Sequence, residues 1–179
     1  MAQNVWRLGA SKAAPPGQEP LTQDGNMSAC TIDIVTEAPT DAIVDLYRAG
    51  GWWEESSQWR AIIPEMIRGS FCFVVARGAD GRLVGMGRVI SDGVSDAYIQ
   101  DVVVLPEWRG RGVGRAIVER LVAFCQERGV GWVGLVGEPG TGPFYASLGF
   151  APLEGYAPWL YRGQGGSGGQ GGGAATGNG

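Results

Sequence analysis

A strand, a glycine-rich turn and a helix follow one another in the middle of the chain, and this unit constrains the fold more than any other feature. A run rich in β-branched residues ends at Leu105, and Gly110, Gly112 and Gly114 follow shortly after it. From Val113 onward, apolar residues recur at helical spacing. Glycines let a backbone approach an anion closely, and the start of a helix presents free N–H groups and a positive dipole end. The unit therefore predicts a strand-helix-strand crossover with a phosphate-binding turn.

Residue identity disfavours two common nucleotide-binding versions of such a turn. A dinucleotide fingerprint needs a third glycine or alanine where this chain has Arg115, and no Gly-Lys-Ser/Thr sequence follows for a nucleoside triphosphate loop. An ordinary glycine-containing turn without a ligand stays open as the alternative.

The pattern around this unit predicts an α+β domain with a mainly antiparallel sheet and one crossover. Helical spacing alternates with short apolar runs that are typical of strands. The predicted helices span 41–48 after a Thr40 or Asp41 cap, 57–67 with Pro64 kinking or dividing it, 113–128 with Gly129 at its C-terminal cap, and 143–148 ended by Gly149. The predicted strands span 31–35, 71–76, 83–90, 97–105, 132–136 and 159–161, with a hairpin turn at 78–81.

Composition sets the boundaries of this domain. Residues 1–28 are rich in Ala, Pro, Gln, Gly and Ser without apolar periodicity, which predicts a disordered arm. Residues 163–179 contain little besides Gly, Ser, Gln, Ala and Asn, which predicts a flexible tail. The folded domain is therefore expected at 29–162.

Charge and residue content exclude several function classes. A formal net charge of −4 argues against a nucleic-acid-binding surface. The chain contains no His, and its three cysteines, Cys30, Cys72 and Cys125, are far apart, so we expect reduced thiols and no metal site. Without a secretory leader or an apolar run long enough for a bilayer, the sequence predicts a cytoplasmic protein that does not span a membrane.

Residues 100–118 resemble the acetyl-CoA site of the GNAT superfamily of N-acetyltransferases. The signature of that family, Arg/Gln-x-x-Gly-x-Gly/Ala after a buried strand, matches Arg109, Gly112 and Gly114. A second family element, Phe-Tyr-x-x-x-Gly-Phe, matches the segment from Phe144 to Phe150. The two elements stand in the family's order, and the likeness covers roughly 31–162.

The resemblance implies acetyl-CoA as the cofactor and a set of residues that hold it. The pantetheine arm would pair with the backbone of the strand before the turn. The pyrophosphate would lie on the turn, where Arg109 and Arg111 would donate charge-assisted hydrogen bonds to it. The implied cofactor-binding residues are Val102, Val103, Val104, Arg109, Gly110, Arg111, Gly112, Val113, Gly114 and Arg115.

By resemblance, catalysis proceeds by direct attack of an amine on the thioester in a ternary complex. Tyr145 would donate a proton to the departing thiolate, and the backbone N–H of Val103 would bind the oxyanion. Asp101 is a candidate base, and strand alternation predicts that it faces away from Gln100. A structural carboxylate or a water chain is the alternative, because this chain has Tyr98 where some members have a strand glutamate.

The resemblance implies an acceptor site formed by the first two helices and the loop between them. In this loop Trp52 and Trp53 precede Glu54 and Glu55, and aromatic rings beside carboxylates can hold an ammonium group. We therefore expect Trp52 or Trp53 to line the cleft for a small-molecule amine. A protein acetyltransferase and a non-catalytic coenzyme A sensor are the alternatives, and the resemblance also allows a homodimer.

Overall fold

The computed structural model describes residues 30–161, and the predicted arm at 1–28 and tail at 163–179 lie outside the described residues. Within this range the strands are β1 (Cys30–Ile34), β2 (Cys72–Gly78), β3 (Leu83–Ser91), β4 (Asp96–Val104) and β5 (Trp132–Leu135). The helices are α1 (Thr40–Ala49), α2 (Ser57–Gly69), α3 (Val113–Glu127) and α4 (Gly142–Ala146), and a 3₁₀ turn occupies Pro106–Trp108.

The five strands form one sheet in the order β1-β2-β3-β4-β5. The first four strands pair antiparallel, whereas β4 and β5 are parallel and are joined through α3. This arrangement confirms the predicted α+β fold with a mainly antiparallel sheet and one strand-helix-strand crossover.

Helix α3 crosses one face of the sheet, where two glycines of β3 make room for it. A Cβ at Gly85 would lie 2.9 Å from Ile117 Cδ1, and one at Gly87 would lie 2.9 Å from Ile117 Cγ2 and 3.0 Å from Leu121 Cδ1. Ile117 and Leu121 are both fully buried, so the missing side chains let the helix lie directly on the backbone of β3. The start of α3, and with it the glycine-rich turn, is thereby fixed relative to the sheet.

Helix α1 packs against β3 and β4 and buries Ile43, Val44 and Leu46 completely. The predicted cap at Thr40 or Asp41 is wrong, because both residues lie inside the helix, and no side chain within residues 30–161 caps its start. Helix α2 is one continuous helix that is not divided at Pro64, and Ser56 caps it by accepting a hydrogen bond from the Gln58 N–H.

The predicted strand at 159–161 does not form. Trp159, Leu160 and Tyr161 have no strand structure and are 93%, 79% and 89% exposed, and within residues 30–161 β5 pairs with β4 alone. Aromatic residues favour strands only where a neighbouring strand supplies hydrogen bonds and a surface to pack on. Composition alone therefore overstated the tendency of this short segment to form a strand.

We predict that Gly85→Ala destabilises the fold by about 1–3 kcal/mol, because overpacking a tight core has this typical cost. The added Cβ would lie 3.0 Å from the carbonyl oxygen of Val103 and against Ile117. Urea unfolding of the variant measures the loss. Gly69→Ala is the matched control, since a Cβ there meets nothing within 4 Å. Equal midpoints for the two variants would contradict the packing account.

Candidate functional site

A cleft opens where β4 and β5 part. Their parallel pairing runs from Asp96 opposite Trp132 to Ile99 opposite Leu135, where β5 ends. Strand β4 continues to Val104, and over this last part no strand of the described region pairs with its outer edge. Its backbone N–H and C=O groups on that side can therefore bind an extended ligand.

A β-bulge at Asp101 bends β4 at the mouth of this cleft. In the register with β3, Met86 lies opposite Val103 but Arg88 lies opposite Gln100, so one residue of β3 faces two of β4. Asp101 has φ of 55°, a left-handed conformation that is uncommon for a residue other than glycine. Bulges of this kind redirect side chains, and they are frequent beside active sites.

The carboxylate of Asp101 lies in a small polar network. Its Oδ2 accepts hydrogen bonds from the Tyr47 hydroxyl at 2.7 Å and from Arg88 Nε at 2.5 Å. Burial, and then the bond to Asp101, raise the pKa of Tyr47. Arg88 also donates to Gln100 Oε1, so the prediction that Asp101 and Gln100 face opposite sides is wrong. The bulge interrupts the alternation and brings both side chains to one guanidinium.

The glycine-rich turn has the geometry of an anion site. Gly110 and Gly112 have φ of 72° and 81°, and a Cβ built at either would meet no atom of the described region within 4 Å. Gly112 precedes the first residue of α3, and no side chain of the described region caps the helix start. The first N–H groups of a helix have no partner within it, so those of α3 remain available to an anion.

The arginines of the turn are partly engaged by the protein itself. Arg109 donates to the carbonyl oxygens of Val104 at 3.0 Å and of Ala49 at 3.3 Å, and thus ties the turn to the ends of β4 and α1. Arg111 lies over the ring of Trp108, with 5.4 Å to the ring centroid. Arg115 donates to the backbone and the side chain of Ser147 just after α4.

A cavity of about 280 Å³ lies in the cleft and contains both predicted catalytic residues, Tyr145 and Asp101. Tyr145, on α4, packs edge to face against Phe144 and Phe150. Its hydroxyl makes no hydrogen bond to any residue of the described region. Burial and, to a lesser extent, the nearby carboxylate of Glu138 raise the pKa of Tyr145, so the phenol keeps its proton at neutral pH.

Glu138 is a site residue that the sequence reasoning missed. It follows β5, lines the same cavity, and accepts a hydrogen bond of 2.9 Å from the Trp52 indole N–H. A signal was present in the sequence, because ligands commonly bind beyond the carboxyl ends of parallel strands. Arg88 and Tyr47 were missed as well, although a lone arginine within the apolar run of β3 needs a partner.

A second cavity, of about 360 Å³, adjoins the first one and is largely aromatic and aliphatic. Trp52 and Asp101 line both cavities, and the predicted acceptor residue Trp53 lines the second. Helix α2, which the resemblance implied as part of the acceptor site, contributes Trp59, Ile62, Ile63 and Met66. The carboxylate of Glu55 is bound by Arg48 instead, while Glu54 reaches the cavity.

The chain belongs to the acetyltransferase (GNAT) family, whose model matches residues 36–150. This match covers more than half of the chain. It includes the strands and helices that line both cavities and the glycine-rich turn. The resemblance inferred from the two sequence elements is thereby confirmed. The family uses acetyl-CoA, and the open turn, the uncapped start of α3 and the unpaired edge of β4 fit that molecule.

Three plant proteins are similar to part of the chain. Serotonin N-acetyltransferase 2, a chloroplastic protein of Oryza sativa subsp. japonica, is 46% identical over 76 residues, which are 42% of this chain and 38% of that protein. GCN5-related N-acetyltransferase 2 of Arabidopsis thaliana, also chloroplastic, is 40% identical over 42% of this chain and 31% of its own length. Histone acetyltransferase TAP1 of Glycine max is 37% identical over 42% of this chain and 34% of its own length. The matched segment thus spans about a third of each relative.

Solved structures have the same fold. A GNAT-family acetyltransferase from Streptococcus pneumoniae TIGR4 has a TM-score of 0.65 at 24% identity, and the match covers 76% of this chain and 99% of that one. AAC(6')-Iy in complex with a bisubstrate analogue, CoA-S-monomethyl-acetylneamine, has a TM-score of 0.62 at 18% identity over 75% of this chain and 99% of that one.

One expectation is overturned by these comparisons. The sequence predicted a cytoplasmic protein, but the rice and Arabidopsis relatives are chloroplastic. That prediction was based on the lack of an apolar leader, and transit peptides are amphipathic segments without one. Within residues 30–161 no helix is both long and apolar enough to cross a membrane. The same residues contain no group of three or more side chains that could hold a metal ion.

We predict that Gly112→Glu abolishes acetyl-CoA binding, because a carboxylate there would occupy the anion site and repel a pyrophosphate. Isothermal titration calorimetry of the folded variant with acetyl-CoA measures the affinity. Gly81→Glu is the matched control: its φ is 82° against 81° for Gly112, and both positions are open, so the backbone strain is equal. Binding by Gly112→Glu at the parent's affinity would contradict the assignment of the turn.

Proposed function

We propose that the chain catalyses transfer of an acetyl group from acetyl-CoA to a primary amine of a small molecule, by direct attack in a ternary complex. One observation carries this proposal: Tyr145 and two carboxylates, Asp101 and Glu138, line a single cavity at the point where β4 and β5 part. This grouping supports the proposal, because a thioester bound along the open edge of β4 would have a proton donor and acidic groups in the same cavity.

The cofactor site proposed here extends along β4 and onto the glycine-rich turn. Backbone groups of Val102 and Val103 hold the pantetheine arm, and the N–H groups at the start of α3 hold the pyrophosphate. The Val104 carbonyl is less available, because Arg109 already donates to it. Acetyl-CoA supplies the activated acetyl group as a thioester. Arg109 acts mainly by holding the turn in place, and Arg111 stays near enough to add positive charge.

Tyr145 is proposed as the acid that protonates the departing thiolate. Its raised pKa keeps the phenol protonated over the working range, and its hydroxyl is free among the described residues to serve that role. The N–H of Val103 is proposed as the oxyanion donor. For Asp101, the bonds from Tyr47 and Arg88 favour the structural alternative, in which the carboxylate braces the bulge and α1.

The second cavity supports a small acceptor with a flat apolar group. Aromatic rings of Trp53 and Trp59 and the aliphatic side chains of α2 offer a surface for such a group, and Trp52 and Asp101 connect it to the first cavity. The relatives include a serotonin acetyltransferase and a histone acetyltransferase, so the acceptor assay must include both kinds of amine.

The test measures thiol release from acetyl-CoA with a panel of acceptors: phenethylamine, tryptamine, spermidine, glucosamine and a lysine-rich histone peptide. We expect turnover with the arylalkylamines above that with the other small amines. Preference for the peptide would show a protein acetyltransferase. Tight acetyl-CoA binding without turnover of any amine would favour a coenzyme A sensor and overturn the proposal.

We predict that Tyr145→Phe lowers kcat by about 100-fold, within the usual range for loss of a general acid, and leaves acetyl-CoA affinity unchanged. Steady-state thiol release and isothermal titration give the two quantities. Tyr156→Phe, at a tyrosine that is 65% exposed and outside both cavities, is the control and should match the parent. A Tyr145→Phe variant with parental kcat would exclude the tyrosine as the acid.

A further inference from the structure

We propose that Glu138, and not Asp101, is the general base that takes the proton from the acceptor's ammonium group. This inference rests on the proposed function. Glu138 lies in the loop after β5, whereas the base that the resemblance suggested, Asp101, lies on β4. The two carboxylates line one cavity, so their surroundings decide between them.

Asp101 is poorly suited to accept a proton. Its side chain is 23% exposed and its partner Arg88 is 17% exposed, so the ion pair is largely removed from water. Protonating Asp101 would leave the Arg88 guanidinium partly buried without its counter-charge, and breaking such a pair is strongly unfavourable. The same proton would also weaken the bond from Tyr47, which ties α1 to the bulge.

Glu138 has the opposite surroundings. It is exposed, so a proton can pass from it to bulk water. The one hydrogen-bond donor to its carboxylate among residues 30–161 is the neutral indole of Trp52, which contacts Oε1 and leaves Oε2 available. Protonating Oε2 therefore breaks no ion pair and leaves the bond from Trp52 intact.

The loop holds Glu138 in position at the cavity. The Glu138 carbonyl accepts hydrogen bonds from the Thr141 hydroxyl at 2.6 Å and from the Thr141 N–H at 3.1 Å. A Cβ at the neighbouring Gly137 would lie 2.9 Å from Thr141 Oγ1 and 3.7 Å from the Tyr145 ring. The chain thus passes directly beside Tyr145, and the carboxylate's effect on the pKa of Tyr145 agrees with this proximity.

Trp52 acts as the positioning residue for Glu138. Its indole spans from the α1–α2 loop to the loop after β5, and its ring packs edge to face on Tyr47 at 6.3 Å. Because Trp52 lines both cavities, an amine that extends from the second cavity into the first passes its ring and meets the carboxylate that it holds.

The proton balance is complete without any further reagent. The ammonium nitrogen loses one proton to Glu138 Oε2, which passes it to water. The neutral nitrogen would then attack the acetyl carbon, and the Val103 N–H would bind the oxyanion that forms. When the C–S bond breaks, the departing sulfur takes the Tyr145 proton. Water takes the second nitrogen proton as the amide forms and returns one proton to Tyr145, so the net products are the amide, the thiol and one proton.

The test compares pH profiles of thiol release for the parent and for Glu138→Gln, with phenethylamine or the most active amine of the panel as the acceptor. The glutamine keeps an oxygen for Trp52 but cannot accept the proton. We expect kcat/KM for the amine to fall about 100-fold near pH 7. The loss should shrink toward about pH 9.5, because the free amine becomes abundant as the pH nears the ordinary ammonium pKa of about 10. Acetyl-CoA affinity should not change.

Three further variants sharpen the result. Glu37→Gln, at an exposed glutamate outside both cavities, should match the parent at every pH. Asp101→Asn should lose activity equally across the pH range, because it disturbs the structure and not the proton transfer. Trp52→Phe should lower kcat/KM for the amine by about tenfold near pH 7. This loss should shrink at high pH, as it does in Glu138→Gln.

The outcomes separate this inference from the proposed function. If the parent turns over an amine and the pH profile of Glu138→Gln equals that of the parent, the base assignment alone is overturned. A loss near pH 7 that recovers at high pH in Asp101→Asn and not in Glu138→Gln would restore Asp101 as the base. No turnover by the parent with any amine would overturn the proposed function, and the base assignment with it.

Discussion

The site depends on the parting of two parallel strands. Pairing between β4 and β5 stops at Ile99 and Leu135, and the proposed coenzyme A site lies beyond that point. Parting leaves hydrogen-bonding groups of β4 without a strand partner in the described region, a state that a protein tolerates only where water or a ligand satisfies them. Gly85 and Gly87 fix the geometry of the cleft by seating α3 on the sheet.

Asp101, at the bulge in β4, lines both cavities of the cleft, the one proposed for the chemistry and the one proposed for the acceptor. Arg88 and Tyr47 hold the Asp101 carboxylate in a largely buried network, and this network joins β3, β4 and α1. Such a pair contributes little net stability but defines one geometry, because each alternative leaves a charge unpaired. The Glu138 carboxylate is exposed, and its one donor within residues 30–161 is the Trp52 indole. In our proposal these different surroundings give the two carboxylates of one cavity different roles.

The sequence predicted most of the fold, including the glycine-rich turn at the start of α3. Local signals sufficed there: glycines at 110 and 112 take positive φ, and helical spacing marks α3. The sequence did not reveal the bulge, because a one-residue register shift depends on the partner strand. It also missed Glu138, which joins Tyr145 and Trp52 only through tertiary structure. The strand predicted at 159–161 does not form for the same reason, because pairing between strands depends on residues far apart in the sequence.

A crystal structure with acetyl-CoA bound is the decisive test of the proposed cofactor site. We expect the pyrophosphate on the N–H groups at the start of α3, the pantetheine along the open edge of β4, and the sulfur within hydrogen-bonding reach of the Tyr145 hydroxyl. Glu138 should face the acetyl carbon from the side of Trp52. A pyrophosphate bound away from Gly112, or a sulfur outside the cavity that Tyr145 lines, would contradict the account.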